Sequence, residues 1–353
     1  MILEDKKKAF IHLGLFLKQF STETYQENPN VLHNNEFFEP FKQIINRLHE
    51  SNSWFKREQL QFCFNSWSIA LTETNLTKWL TPYNLQNEQL KTIGLILAGN
   101  IPLVGFHDVL TVLISGNKAL IKLSSNDELL VPFILKYLET VEPEFKNRYE
   151  ITKEKLELFD AVIATGSNNT ARYFEYYFGK YPNIIRKNRN SVAVLNGKES
   201  KEDLIALGED IFRYYGLGCR NVSKLFVPKD YNFDAFFEGM FAYSEIIKDE
   251  KYVNNYDYNK AVFLMSNFNL LDNGFLTIKE DASYTSPISS VFYEFYTDLN
   301  EVNNRLITDA DKIQCVVSNQ LTPNSLPFGT TQKPELWDYA DNVDTMKFLL
   351  SLT

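Results

Sequence analysis

The stretch IGLILAGNIPLVGFHDVLTVLISGNKALIKL, residues 93–123, decides the fold. Its opening run, 93–98, is short and apolar, as in strands buried in parallel sheets, and residues 99–102 supply a turn. A helix is predicted from about Leu103 to Ile114, followed by a second strand over 118–123. This order is one βαβ unit, which predicts an α/β fold with a parallel sheet.

Residues 93–116 are also long and apolar enough to raise the alternative of a membrane span. Four residues interrupt the stretch: Asn100, Pro102, His107 and Asp108. A charged residue costs roughly 2.5–3.5 kcal/mol at the centre of a membrane helix. A strand, a turn and a buried helix therefore explain the pattern better, and we expect no membrane span.

The strand–turn–helix pattern returns at residues 160–178, with a strand over 160–164, a turn at 165–168 and a helix to Phe178. Residues 5–80 are predicted to be mostly helical. Further strands are predicted over residues 183–186, 191–195, 224–227, 275–278, 291–295 and 313–317, and further helices over 234–247 and 256–265. Two α/β halves account for this alternation.

The composition narrows the class of protein. A chain of 353 residues can form two domains. Its three cysteines lack paired spacing, and the first residues lack the pattern of a secretory signal, so we expect a reducing, cytoplasmic setting. The net charge of −9 disfavours nucleic acid as a partner. The four histidines and three cysteines show no metal-ligand spacing, so no metal is predicted.

Cys219 is the candidate nucleophile, because Gly216-Leu217-Gly218 precedes it and a predicted strand follows. Glycine permits turns that expose a side chain and leaves room for a substrate. Cys63 and Cys315 lie in apolar surroundings and are predicted to be packed side chains. A small buried thiol is the alternative for Cys219 as well.

The dinucleotide fingerprint G-x-G-x-x-G is absent, which leaves a simple Rossmann dehydrogenase unsupported. The turns at Gly99 and Gly166 nevertheless place small or polar residues before predicted helices, where backbone N–H groups can bind phosphate. Ordinary helix capping explains each turn equally well.

Five segments in order resemble the aldehyde dehydrogenase superfamily, and within it the LuxC-type acyl-CoA reductases. The resemblance covers roughly residues 90–353. Its segments are Gly99-Asn100-Ile101-Pro102-Leu103, the run from Ser115-Gly116-Asn117 to Lys122-Leu123-Ser124-Ser125, Ala164-Thr165-Gly166-Ser167, Gly216-Leu217-Gly218-Cys219, and a C-terminal pair, Phe328-Gly329-Thr330-Thr331-Gln332 with residues 338–345.

The resemblance implies an aldehyde dehydrogenase-like fold: two α/β domains, one with a Rossmann-like parallel sheet, and an active-site cleft between them. We expect a helical segment plus nucleotide-binding domain over residues 1–200, and a catalytic domain with the nucleophilic cysteine over 201–325. A C-terminal segment, 326–353, is expected to return toward the nucleotide-binding domain. Relatives in the superfamily often form dimers or tetramers, so a homo-oligomer is also expected.

The resemblance further implies that Cys219 attacks an acyl thioester, with Asn100 as an oxyanion donor. The acyl group comes from acyl-CoA or an acyl-carrier protein. Reduction of the acyl-cysteine by a nicotinamide cofactor gives the aldehyde. By the same resemblance, five residues bind the cofactor: Lys122, Ser124, Thr165, Gly166 and Ser167. NADP is favoured over NAD, because Lys122 with Ser124 and Ser125 can accept a 2′-phosphate, and Asp127 is the nearest acid that opposes this.

One departure from the wider family concerns the base that activates water for hydrolysis of the acyl-enzyme. Hydrolytic members place a glutamate where this chain has Arg186-Lys187-Asn188-Arg189-Asn190, and Glu199 and Glu202 remain as candidate substitutes for it. The basic residues Arg186, Lys187 and Arg189 either meet a ligand phosphate or form a solvated face. His107 is predicted to be a core or helix-surface histidine.

Two alternatives from other functional classes stay open. In the first, Cys219 is acylated but no hydride moves, which would make the chain an acyltransferase or thioesterase. In the second, the fold serves as a non-catalytic nucleotide or acyl-carrier binding protein, although an exposed thiol has no use there.

Overall fold

The computed structural model describes residues 1–85, 89–266 and 268–352. The chain forms two compact units. The first contains residues 1–187 together with 335–353, and the second contains residues 188–334.

Four helices open the first unit, as predicted for residues 5–80. They are α1 (Leu3–Lys18), α2 (Asn34–Ser51), α3 (Arg57–Ala70) and α4 (Glu73–Leu80). In α2 the buried residues Phe37, Phe41, Ile45 and Leu48 recur every three or four positions, so they line one face of the helix. These helices bury aromatic side chains against each other, and the ring centroids of Phe41 in α2 and Phe64 in α3 are 5.3 Å apart.

A five-stranded parallel sheet follows these helices in the first unit, in the order β3-β2-β1-β4-β5. Its strands are β1 (Thr92–Ile96), β2 (Lys118–Lys122), β3 (Tyr149–Ile151), β4 (Ala161–Thr165) and β5 (Asn183–Arg186). The helices between them are α5 (Phe106–Ile114), α6 (Leu130–Val141) and α7 (Asn168–Phe178), with a 3₁₀ turn at Pro143–Asn147. This is the strand order of a Rossmann-like sheet, so the parallel-sheet prediction is confirmed.

The helix predicted from Leu103 begins three residues later, at Phe106. Leu103 has φ +54°, a left-handed conformation that cannot continue into an α-helix. Residues 93–116 therefore form a strand, a turn and a buried helix. Within the described ranges, no helix has both the length and the apolar character needed to cross a membrane.

The second unit has a six-stranded sheet in the order β11-β6-β7-β10-β9-β8, parallel except that β8 runs antiparallel to β9. Its strands are β6 (Asn190–Val194), β7 (Val222–Pro228), β8 (Leu270–Asp272), β9 (Thr277–Glu280), β10 (Ser290–Tyr296) and β11 (Ile313–Ser318). Its helices are α8 (Lys201–Phe212), α9 (Phe233–Met240), α10 (Glu250–Met265) and α11 (Leu299–Thr308).

Two predicted helices of the second unit have different bounds. The one predicted over 234–247 continues beyond Met240 as a 3₁₀ helix, Phe241–Lys248. The one predicted from Tyr256 begins at Glu250, because the Asp249 carboxylate accepts the N–H groups of Lys251 and Tyr252 and so caps the helix.

The C-terminal residues 335–353 belong to the first unit and end in α12 (Thr345–Leu350). Trp79 Nε1 donates to the hydroxyl of Tyr339 at 2.7 Å, and the Tyr83 hydroxyl donates to Asp344 Oδ2 at 3.0 Å. These bonds attach the segment to α4 and the residues after it.

Candidate active site

Cys219 is exposed, whereas Cys63 and Cys315 are buried, as predicted. The turn before Cys219 has three successive residues in the left-handed region: Tyr214 (φ +53°), Tyr215 (φ +58°) and Gly216 (φ +76°). A non-glycine residue in this region costs roughly 1–2 kcal/mol. Other contacts must therefore stabilise this turn.

Hydrogen bonds hold the backbone around Cys219. Its carbonyl oxygen accepts a bond from Ser191 Oγ at 3.1 Å, and the same hydroxyl accepts the backbone N–H of Cys315 at 3.1 Å. Arg220 Nη1 donates to the Cys315 sulfur at 3.3 Å. Because Ser191 lies near the start of β6 and Cys219 shortly before β7, the thiol lies at the amino edge of this parallel pair.

Asn221 makes the largest set of these bonds, and the sequence had not singled it out. Its side chain joins the end of α8 to Gly218, and the residue is 2% exposed. The backbone N–H of Asn221 also donates to the Gly218 carbonyl at 3.0 Å.

Asp210, near the end of α8, connects this region to the motif at 328–332. Its buried carboxylate accepts the N–H of Gly329 at 2.7 Å and both the N–H and the hydroxyl of Thr331, at 2.9 and 2.8 Å. Burial raises the pKa of Asp210 to about 6, and these hydrogen bonds partly oppose that shift. The motif thus has a structural role that its sequence alone did not reveal.

Glu199 and Glu202 lie at the opposite end of the strands of the second sheet from Cys219. Both follow the carboxyl end of β6, whereas Cys219 lies at the amino edge of the parallel strands β6 and β7. Glu199 instead accepts the N–H groups of Asn196 and Gly197, at 2.6 and 3.1 Å. Neither is therefore placed to activate water at the thiol.

In the first unit, the turn that carries Asn100 packs closely against the loop that carries Ser124. A Cβ added at Gly99 would lie 2.7 Å from both Cβ and Oγ of Ser124, so only glycine fits. Asn52 Nδ2 donates to the Gly99 carbonyl at 3.4 Å. These contacts fix the backbone next to Asn100.

Asp127 stabilises the same two loops. Its buried carboxylate accepts the N–H of Leu103 and the N–H of Leu130, both at 3.3 Å. Burial raises its pKa to about 6. The acid expected to oppose a 2′-phosphate is thus hydrogen-bonded to the backbone inside the fold.

The five candidate cofactor residues lie at one edge of the first sheet. Lys122 ends β2 beside Ile96 of β1, and Thr165 ends β4 on the other side of β1. Lys122 Nζ donates to the Glu154 carbonyl at 3.1 Å. Ser167 caps α7 by accepting the N–H of Thr170 at 3.2 Å. These residues are half-buried or exposed, at the carboxyl edge where α/β sheets bind ligands.

The solvated-face interpretation of the basic run is wrong at Arg186. Its guanidinium is buried in an ion pair with Asp108 and also donates to the Thr345 hydroxyl at 3.1 Å. Lys187 pairs with Glu175 at the surface, and Arg189 donates to the Ala310 carbonyl at 3.0 Å. A run that is continuous in sequence therefore has three separate roles.

His107 is a packed histidine, as predicted. Its Nε2 lies 2.9 Å from the Leu336 carbonyl, and its ring contacts those of Trp79 and Tyr339. In the described part of the chain, no group of three or more His, Cys, Asp or Glu side chains could hold a metal ion.

Comparison with solved structures identifies the fold. Aldehyde dehydrogenase 21 from Physcomitrella patens, in complex with the reaction product succinate, aligns with a TM-score of 0.63 and 15% identity, over 90% of this chain and 73% of that chain. KauB from Pseudomonas aeruginosa gives 0.61 and 10%, over 93% and 78%. Indole-3-acetaldehyde dehydrogenase AldA from P. syringae, in complex with NAD+, gives 0.61 and 11%, over 90% and 72%. The aldehyde dehydrogenase-like fold is confirmed.

No curated protein matches the chain significantly. Residues 16–236, more than half of the chain, match the family described as acyl-CoA reductase (LuxC). The match includes Asn100, Cys219 and the five candidate cofactor residues. The chain therefore belongs to the LuxC acyl-CoA reductase family, as its motifs predicted.

Proposed function

We propose that this protein reduces an acyl thioester of coenzyme A or of an acyl-carrier protein to the aldehyde, through an acyl group carried on Cys219. The observation that carries the proposal is the exposed Cys219 thiol in a chain of this family, on a turn that buried hydrogen bonds from Asn221 hold. A packed structural thiol would resemble Cys63 and Cys315 instead.

The first step of the proposed reaction transfers the acyl group from the thioester to Cys219. The Cys219 thiolate attacks the thioester carbonyl carbon, a new C–S bond forms, and the coenzyme A thiolate leaves with the electrons of the old one. Asn100 donates a hydrogen bond to the oxygen that becomes negative during the attack. Since Glu199 and Glu202 lie at the opposite edge of the second sheet, the acyl-cysteine persists.

The candidate residues at the carboxyl edge of the first sheet suit a dinucleotide in position and chemistry. Lys122 and Ser124 offer a cation and a hydroxyl for a 2′-phosphate, and Thr165, Gly166 and Ser167 lead into the amino end of α7, where phosphate binds readily. A nicotinamide cofactor held there would supply the hydride that reduces the acyl group, and the Cys219 thiolate would leave as the aldehyde forms. Because the Asp127 carboxylate is bonded to backbone N–H groups, we favour NADPH over NADH.

The test is a burst measurement. The protein mixed with a fatty acyl-CoA, without nicotinamide, should release about one coenzyme A per active site and then stop, because an acyl-enzyme accumulates. Adding NADPH should then yield aldehyde with loss of nicotinamide absorbance. Peptide mass spectrometry should place the acyl group on Cys219.

Cys219→Ala should abolish the burst while cofactor binding, measured by nicotinamide fluorescence, stays close to wild type. Cys315→Ser is the matched control, since it removes the buried thiol of the same unit but keeps an acceptor for Arg220. Continuous coenzyme A release without NADPH would instead indicate a thioesterase. No release at all, with intact cofactor binding, would indicate a binding protein.

A further inference from the structure

We propose that Asn221 is the positioning residue of the nucleophile: its buried amide fixes the backbone that presents Cys219. This inference rests on the proposed function of Cys219. Asn221 acts through the backbone and does not itself touch the substrate.

The first part of the argument is the end of α8. The last carbonyl groups of a helix lack partners within the helix and need other donors. Asn221 Nδ2 donates to the carbonyl oxygens of Asp210, Ile211 and Arg213, at 3.0, 3.3 and 2.8 Å. An amide nitrogen has two hydrogens, so at least one of them is shared between two carbonyls.

The second part is the peptide next to the nucleophile. Asn221 Oδ1 accepts the N–H of Gly218 at 2.8 Å, and the backbone N–H of Asn221 donates to the Gly218 carbonyl at 3.0 Å. Both polar groups of Gly218 are therefore held by one residue. Ser191 holds the carbonyl of Cys219 itself.

The third part is the left-handed turn between these two anchors. Asn221 bonds to Arg213 immediately before Tyr214 and to Gly218 shortly after Gly216, so it holds both ends of the turn. With Asn221 buried, water cannot replace these bonds easily. Loss of the amide would let the turn relax and move the sulfur.

A displacement of about 1 Å in a reacting group can lower a rate by about 10²-fold. Asn221→Ala should therefore slow the burst of coenzyme A release by about that factor. Its amplitude per folded protein should stay near that of the wild type, since the thiol remains. In the steady state kcat should fall much more than KM changes. A merely structural role would lower the amplitude per total protein, because part of the protein unfolds, and would leave the burst rate of the folded fraction unchanged.

Asn221→Asp serves as a second variant that keeps the shape of the side chain. It retains an acceptor for Gly218 but cannot donate two hydrogens to the end of α8, so its burst should also be slow. Asn183→Ala is the matched control: Asn183 Nδ2 donates to the carbonyls of Phe178 and Tyr181 near the end of α7, in the first unit. Its burst rate should equal that of the wild type.

The outcomes separate this inference from the proposed function. If wild-type protein forms no acyl-cysteine, the proposed function fails. If the wild type forms it and both Asn221 variants form it at the wild-type rate, the positioning role is overturned and the proposed function stands. Slow bursts of full amplitude in the Asn221 variants alone support the inference.

Discussion

The guanidinium of Arg186 and the carboxylate of Asp108 form a buried ion pair, with Arg186 Nη2 donating to Asp108 Oδ1 at 2.8 Å. Arg186 ends β5 and Asp108 lies in the first turn of α5. The same guanidinium reaches Thr345, the first residue of α12. The pair therefore joins the sheet, a helix and the C-terminal segment of the first unit.

Arg186→Leu should destabilise the protein by about 3–5 kcal/mol, because it leaves the Asp108 carboxylate buried without its partner. The double variant Asp108→Leu/Arg186→Leu should lose less than Arg186→Leu alone. Urea unfolding followed by circular dichroism measures both. Lys187→Leu is the control, since its ion pair with Glu175 is about half exposed and should contribute at most about 1 kcal/mol. Equal losses for Arg186→Leu and Lys187→Leu would contradict the assignment.

Gly99→Ala should weaken cofactor binding and reduce stability by about 1–3 kcal/mol, because the new Cβ pushes against Ser124. Titration with NADPH and thermal unfolding give the two quantities. Ser124→Gly removes the atoms at 2.7 Å, so the double variant Gly99→Ala/Ser124→Gly should regain most of the stability. If the second substitution restores nothing, the two loops do not press on each other as the structure describes.

Asp127 should make stability depend on pH in a direction opposite to that of an ion-paired carboxylate. Its pKa of about 6 in the folded protein exceeds the ordinary value of about 3.9 in an unfolded chain. The folded state thus holds this proton more tightly, and the resulting stabilisation is full below about pH 4 and is lost as pH rises through about 6.

Asp127→Asn removes that titration. The free energy of unfolding of the wild type minus that of the variant should therefore increase by roughly 1 kcal/mol when the pH falls from about 7 to about 5. Urea titrations at matched pH values measure it. A difference that stays constant, or decreases on acidification, would show that Asp127 titrates normally.

Asn100→Ala should lower turnover by about 10²-fold, with little change in cofactor affinity, if its amide stabilises the developing oxyanion. Steady-state kinetics and nicotinamide fluorescence separate the two effects. A parallel loss of turnover and cofactor affinity would mark Asn100 as a residue that shapes the first unit. Asn52→Ala removes a hydrogen bond to the neighbouring Gly99 carbonyl but leaves the Asn100 amide in place. Its effect on turnover shows how much of the loss in Asn100→Ala comes from a less rigid turn.

The sequence by itself determined the elements that depend on near neighbours. The apolar run before Gly99, the turn and the helix that follows are visible in the order of residues, because burial and turn chemistry act within a few positions. The exposed Cys219 followed from the glycines next to it, and the packed Cys63 and Cys315 from their apolar neighbours. The motifs shared with the family predicted the fold and the class of reaction.

The tertiary structure alone decided which distant groups meet. Arg186 and Asp108 are 78 positions apart, and Asp210 and Thr331 are 121 apart. Even Asn221, two residues after Cys219, takes its role from the end of α8, eight to eleven positions earlier. A buried polar group must find a partner, but any of many donors and acceptors can supply it, and only packing determines which one lies within reach.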